Sequence, residues 1–240
     1  MGGNRSISER LTRDQGRRSD PSDYVAASQR TRILHSITGL VAERGYQGTT
    51  IELIAKGAGV ALGTFYEHFA SKEECFLAAL DVDVEAAAEV FGDLIDLDQE
   101  WPDRVADGLQ VFLDLVVAEP ARAKVCLVAS QSAWSAAFAK YQETLERFAP
   151  VLREGRALNP AASKLPDGLE VAIAGGIAWL VHQRLASDEH EDLRQLLPEM
   201  VQLTLTPYVG EVEARKTARA VVSGDRAALS SVQADRVGEM

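Results

Sequence analysis

Between residues 49 and 74 the chain reads TTIELIAKGAGVALGTFYEHFASKEE. Apolar residues recur there at helical spacing, but only for about two turns before glycine interrupts them. Thr49-x-x-Glu52 has the form of a capping box, whose hydroxyl and carboxylate satisfy two free backbone donors at a helix start. Ile51, Ile54, Ala55 and Ala58 make the inner face of that helix, and Gly57 and Gly59 stop it. A second short helix over Leu62–His68 turns Val60, Phe65 and Phe69 inwards. Ser71-x-x-Glu74 is another capping box, opening a long helix with Phe76, Leu77, Leu80, Val84 and Phe91 as core positions. Two short helices joined by a glycine-containing turn have the geometry of a helix–turn–helix. The second of such a pair can lie in the major groove of DNA while the first crosses the backbone. Upstream, Ile33, Ile37, Leu40 and Val41 share one face of a helix that starts near Ser28 and ends at Gly45.

The rest of the chain is predicted to be helical too, so the fold class is all-α. Pro102 fits the first turn of a helix carrying Val105, Leu109, Phe112 and Val116, which stops at Glu119-Pro120. A short helix is expected over 121–129. Trp134, Phe138, Tyr141, Leu145, Phe148 and Leu152 then recur every three or four residues on a long helix. Residues 157–168 read as a loop, and 171–186 as a helix apolar almost all round, buried on two faces. Further helices are expected at about 189–196, 198–209 and 211–221, with no strand pattern or internal repeat. Residues 1–23 are polar and aperiodic and read as a disordered arm.

Charge divides the chain. Residues 1–75 carry 10 Lys+Arg against 9 Asp+Glu, while residues 76–240 carry 15 against 27. Phosphate would repel the acidic part, so contact with DNA falls to the N-terminal part. The arginines of the arm are largely offset by Glu9, Asp14, Asp20 and Asp23, which favours a plain tail over a DNA-binding arm. No run of 18 or more apolar residues and no apolar segment behind the N-terminal arginines is present, so neither a membrane span nor a signal peptide is predicted. Cys75 and Cys126, far apart, give no disulfide framework and no zinc pattern, and a cytoplasmic setting is the default. No phosphate loop, dinucleotide fingerprint or metal-ligand spacing argues for an enzyme, a cofactor or a metal.

Gly45-Tyr46, Thr49-Thr50, Ile54-Ala55, Ala58-Gly59-Val60, Gly63-Thr64-Phe65-Tyr66, His68-Phe69 and Ser71-Lys72-Glu73 together resemble the TetR family of bacterial transcription regulators. The resemblance covers roughly residues 28–80. It implies a DNA-binding domain over residues 24–75 with its motif at 50–69, then a ligand-binding and dimerisation domain over 76–210 and a polar extension over 211–240. It implies a ligand-responsive repressor that is no enzyme, binding a palindromic double-stranded operator as a homodimer. An all-α protein-interaction module is the alternative, and it leaves residues 49–74 without a purpose. By the resemblance, Thr49, Thr50, Tyr66, His68 and Lys72 meet phosphates, and Leu62, Gly63 and Thr64 face the bases. Three positions depart from the family's commonest pattern. Ala61 replaces a capping Ser or Thr, a loss of roughly 1 kcal/mol of helix stability. Leu62 removes a basic or polar contact, and Glu67 brings a negative charge to an exposed place.

Two further expectations concern the body. Gly175 and Gly176 in mid-helix, with Met200, Val201 and Leu205 on the next, are expected at the dimer interface. Phe112, Trp134, Phe138, Tyr141, Trp179 and His182 are expected around a mostly apolar pocket for a small-molecule effector, itself largely apolar.

Overall fold

The computed structural model describes residues 21–94, 97–187 and 193–222, and every regular element among them is helical. The arm over 1–20, the first part of the expected 189–196 helix and the extension beyond 222 lie outside the described residues.

Helix α1 (Pro21–Arg44) begins seven residues before the expected Ser28, with a proline whose fixed φ suits a first turn. It buries Ile33, Leu34, Ile37 and Val41 and is closed by Gly45 at φ 74°. Helix α2 (Ile51–Ala58) is capped by Thr50 rather than Thr49: the Thr50 hydroxyl accepts from Leu53 N at 3.4 Å. Gly57 does not stop α2. It lies within it, where a Cβ would stand 2.3 Å from Ser36 Oγ of α1, so its smallness permits the close crossing of the two helices. Gly59 ends the helix in the left-handed region, φ 64°. Arg32 reaches over from α1 and donates to Ala58 O at 2.8 Å, satisfying a carbonyl at that helix end.

Helix α3 (Leu62–His68) has the expected bounds, and Ala61 at its N-cap makes no side-chain bond. Helix α4 (Lys72–Leu94) opens on the Ser71 box. Ser71 Oγ accepts from Glu74 N at 3.1 Å, and Glu74 accepts from Ala70 N at 2.7 Å. Phe65, Phe69, Phe76 and Ile54 close the core of this first domain.

The body comprises α5 (Trp101–Ala118), α6 (Pro120–Lys124), α7 (Ser130–Ala133), α8 (Ser135–Arg153), α9 (Leu169–Ala186), α10 (Leu197–Val209) and α11 (Glu211–Val222). Between α6 and α7 the backbone widens into a π-turn over Val125–Ala129, where a continuous short helix was expected. A 3-10 turn, Glu154–Ala157, leads into the region expected as a loop over 157–168, and that region holds a second, Ala162–Lys164. A buried ionic cluster ties this loop to the helices. Arg156 Nε and Nη2 donate to Glu170 at 2.6 and 3.0 Å, Tyr208 Oη donates to the same carboxylate at 3.2 Å, and Arg156 Nη1 donates to Leu165 O at 2.7 Å.

Two expectations about the body are corrected. Met200, Val201 and Leu205 have no exposed surface; their own subunit's core covers them, so they cannot line an interface in this conformation. Trp134 is the N-cap residue of α8 rather than part of it, and its ring points into the first domain's core.

Candidate nucleic-acid interface

Helix α3 is only seven residues long, and such a helix is marginal on its own. It is held by its inner face: Phe65 is fully buried, and Phe69 just beyond it nearly so. The opposite face is bare. Leu62 is 43% exposed and Tyr66 54%, and a Cβ built on Gly63 would meet nothing within 4 Å. The Tyr66 ring stands edge-on to Phe65 at 5.5 Å. Thr64 is half-buried beside this face, and Glu67 is exposed on it. An apolar side chain, a glycine, a phenol and a carboxylate therefore share a surface that nothing in the subunit covers.

The other expected contacts divide. Thr50 is exposed at the α2 N-terminus, where free backbone N–H groups accumulate. Thr49 is a correction: it is fully buried, and its hydroxyl donates to Gly45 O at 2.9 Å, so its side chain closes the α1–α2 turn and cannot reach a phosphate. His68 is half-buried with Nε2 3.5 Å from Gln29 Oε1, turned towards α1. Lys72 was expected to point outwards. Its ammonium instead donates to Tyr46 O at 3.0 Å and Thr49 O at 2.8 Å and sits 4.0 Å above the Tyr46 ring. Two of its three N–H donors are engaged inside the domain.

Tyr46 is the hub of this corner. Its hydroxyl donates to Glu73 at 3.0 Å, and burial together with that carboxylate raises its pKa. The Glu73 carboxyl is held below its usual range by the backbone at the start of α4 and by the Tyr46 hydroxyl. Trp134 packs at a tilt against Tyr46 at 4.5 Å and Phe76 at 5.4 Å, so the body inserts an aromatic ring into the first domain's core. Arg32 and Lys56 add two cations to this domain. Arg32 lies four residues before Ser36 and so shares its face, the side of α1 that α2 crosses; Lys56 is exposed on the last turn of α2.

The six aromatic and histidine positions expected around a pocket are not gathered into one. Phe112 packs half-buried against the body core, and Trp134 belongs to the first domain. Phe138 stacks on Tyr141 along α8 with centroids 6.2 Å apart, and burial raises the Tyr141 pKa. Trp179, 52% exposed, stacks on His182 along α9 at 5.1 Å. His182 Nδ1 lies 3.0 Å from Leu127 O in the π-turn and 3.2 Å from Gln131 Nε2. A groove of about 920 Å³ runs instead between α10 and α11, with Pro198, Leu203 and Arg215 among its lining residues and none of those six. Of the expected interface glycines, Gly175 faces Leu145 of α8 and Gly176 faces open space. Among the described residues no cluster of three His, Cys, Asp or Glu side chains could hold a metal ion, and no helix is long and apolar enough to cross a membrane.

A family profile described as bacterial regulatory proteins of the tetR family matches residues 33–79, from the core face of α1 into α4. The HTH-type transcriptional repressor KstR2 of Mycobacterium tuberculosis is 49% identical over 47 residues, 20% of this chain and 24% of that protein. The HTH-type transcriptional repressor AcnR of Corynebacterium diphtheriae is 34% identical over 69 residues, 29% of this chain and 36% of that protein. The chain thus matches about a quarter of the length of the first of these relatives. Similarity of fold runs further. The fatty acid degradation regulator FadR from Bacillus halodurans superposes with a TM-score of 0.66 at 21% identity, covering 74% of this chain and 94% of that one. FadR from Bacillus subtilis, solved in complex with stearoyl-CoA, gives 0.61 at 22%, covering 75% and 98%. The capped α2, the glycine turn and the bare-faced α3 all lie within residues 33–79, the stretch of this chain that matches the profile of the tetR family of bacterial regulatory proteins.

Proposed function

We propose that the protein is a transcriptional repressor that reads double-stranded DNA with α3. One observation carries this reading: α3 is pinned by the fully buried Phe65, while Leu62, Gly63 and Tyr66 are left open on its other face. A glycine on that face lets the backbone approach a groove closely. Leu62 and the Thr64 methyl suit a thymine methyl, and the Thr64 hydroxyl suits a base edge. Tyr66 and the exposed Thr50 at the α2 N-terminus suit phosphates. Lys56, on the short helix that Thr50 caps, adds a cation.

One seven-residue helix supplies few base contacts, so the reading includes a two-fold dimer with two half-sites. Its interface differs from the one expected from the sequence. Val171 and Trp179 on α9 and Leu203 on α10 are among the apolar residues left open in the body, and they take the place of Met200, Val201 and Leu205 in this reading. The effector is read as a largely apolar small molecule. The stearoyl-CoA carried by one protein of similar fold is in keeping with an apolar effector.

The test is selection of duplexes from a random pool by the purified protein, followed by anisotropy titration. A palindromic consensus is expected. Tyr66→Phe is expected to weaken binding to all sequences, and Leu62→Ala or Thr64→Ala to change base preference. A protein that enriches no duplex would overturn the reading.

A further inference from the structure

The turn between α2 and α3 is made of Gly59, Val60 and Ala61, and none of the three carries a polar side chain. Its backbone closes the end of α2 in part. Gly59 N donates to Lys56 O at 3.2 Å and Val60 N to Ala55 O at 3.0 Å, the two bonds of a Schellman motif around a left-handed glycine. The carbonyls of Ala58 and Gly59 lie outside that motif and need other donors. Arg32 supplies one: its Nη1 donates to Ala58 O at 2.8 Å and to Gly59 O at 3.4 Å. The guanidinium comes from α1, so the end of α2 is capped by another helix.

One turn further along α1, Ser36 Oγ donates to Ile54 O at 2.9 Å, beside the close crossing at Gly57. Residues 32 and 36 share a face of α1, and 54 and 58 share a face of α2. Ser36 fixes the point where the helices cross, Arg32 fixes the end of α2, and two points define the axis. The same stretch of α1 holds the far end of α3. The Arg30 guanidinium carbon lies 4.5 Å from the Phe69 ring centroid, and Gln29 Oε1 lies 3.5 Å from His68 Nε2. Between these anchors the first residues of α3 have no side-chain tie of their own. Ala61 makes no cap bond, and Leu62 and Gly63 stand open. The placement of Leu62, Gly63 and Thr64 therefore depends on the turn that Arg32 holds.

Stability alone gives a thin reason for an arginine at this place. Arg32 is exposed, and water could serve both carbonyls, so the exchange of partners gains little. What the guanidinium adds is direction. A planar, rigid donor shared by two neighbouring carbonyls admits one geometry, which water would not impose.

We infer that Arg32 is a positioning residue that fixes the tilt of α3 on α2 and so sets how sharply the protein distinguishes its own duplex from others. It acts through the Gly59–Ala61 turn and makes no contact with DNA. With the tie removed, the crossing at Ser36 and Gly57 and the buried Phe65 keep the domain folded, while the start of α3 is free to pivot on a left-handed glycine. The inference rests on the proposed DNA-binding function, and its test keeps the two separable.

The test compares two probes: the duplex selected by the wild-type protein, and a scrambled duplex of the same length and base composition. For Arg32→Met the ratio of the two affinities is expected to fall at least ~5-fold. A purely structural role would not move it, since loss of folded protein lowers both affinities alike. A phosphate contact would also lower both and would reduce the salt slope by about one. The slope is expected to stay at its wild-type value. Arg32→Lys, which keeps an N–H donor on a stem of similar length, is expected to recover most of the ratio. Without DNA, hydrogen exchange in peptides covering 55–64 is expected to be at least ~5-fold faster in Arg32→Met, with the stretch of α4 around Phe76 exchanging as in wild type. An unchanged ratio, parallel losses with a reduced salt slope, or unchanged exchange in the turn would overturn the inference. If the wild-type protein selects no duplex, the DNA-binding reading fails and the selectivity with it. A selected duplex with an unchanged ratio fails the inference alone.

Discussion

In the first domain α2 opens on Thr50 and α4 on Ser71, each hydroxyl accepting from a backbone N–H three residues on. In the body α5, α6, α8, α9 and α10 all open without a side-chain cap. Three of these five carry proline in the first turn instead: Pro102, Pro120 and Pro198. Short helices need their ends satisfied locally, because two turns gain little from propagation. Longer helices draw their stability from packing, and the body accordingly fixes its helices through distant partners such as Arg156, Glu170 and Tyr208. The first domain is written in local signals and the body in long-range ones.

If that contrast holds, the largest loss should come from breaking a long-range tie in the body. Glu170→Ala leaves Arg156 and the Tyr208 hydroxyl without their carboxylate in a buried place. A cost of about 4 kcal/mol in thermal unfolding is expected. Arg156 holds the Glu170 carboxyl below its usual range, so its stabilisation is present above the unfolded pKa and is lost as pH falls through the lowered folded value. Gly155→Ala should cost about 2 kcal/mol, since overpacking forces neighbours apart. A Cβ there would stand 2.5 Å from Trp101 and 2.9 Å from Tyr208, both in the body core. A neutral outcome for both variants would break the contrast.

The local ties should weigh less. Thr50→Ala is expected to cost about 1 kcal/mol through the lost α2 cap. Ala61→Ser is expected to gain roughly 0.5 kcal/mol, because α3, unlike α2 in the same domain, has no capping side chain. Chemical denaturation curves measure both. Equal and large effects from both variants would mean that the first domain also depends on packing beyond its caps.

The same contrast decides what was readable. The bounds of α3 follow from Gly59, from the pair Phe65 and Phe69, and from Ser71, all within a dozen residues of one another. Thr49 and Thr50 could not be told apart as caps, because the choice rests on Thr49 turning back to Gly45 O. Lys72 looks like a phosphate ligand until folding places it over Tyr46, a residue 26 positions earlier. In the body, periodicity marks Met200, Val201 and Leu205 as apolar. It does not say whether their own core or a second subunit covers them; their own core does. Trp134 fits the spacing of α8, yet it stops the preceding turn and stacks on Tyr46. The ion pair of Asp83 and Arg122 joins residues 39 positions apart, and no local pattern announces it.

Whether the bare face of α3 reads DNA is tested most directly by hydroxyl-radical footprinting on a duplex selected by the protein. The expected result is two protected half-sites related by a two-fold axis, with centres about 34–36 Å apart or a multiple of that. With Leu62→Ala the same footprint should reappear at altered sequences. Protection of a single asymmetric site by a monomer, or a footprint indifferent to Leu62, Thr64 and Tyr66, would contradict the account.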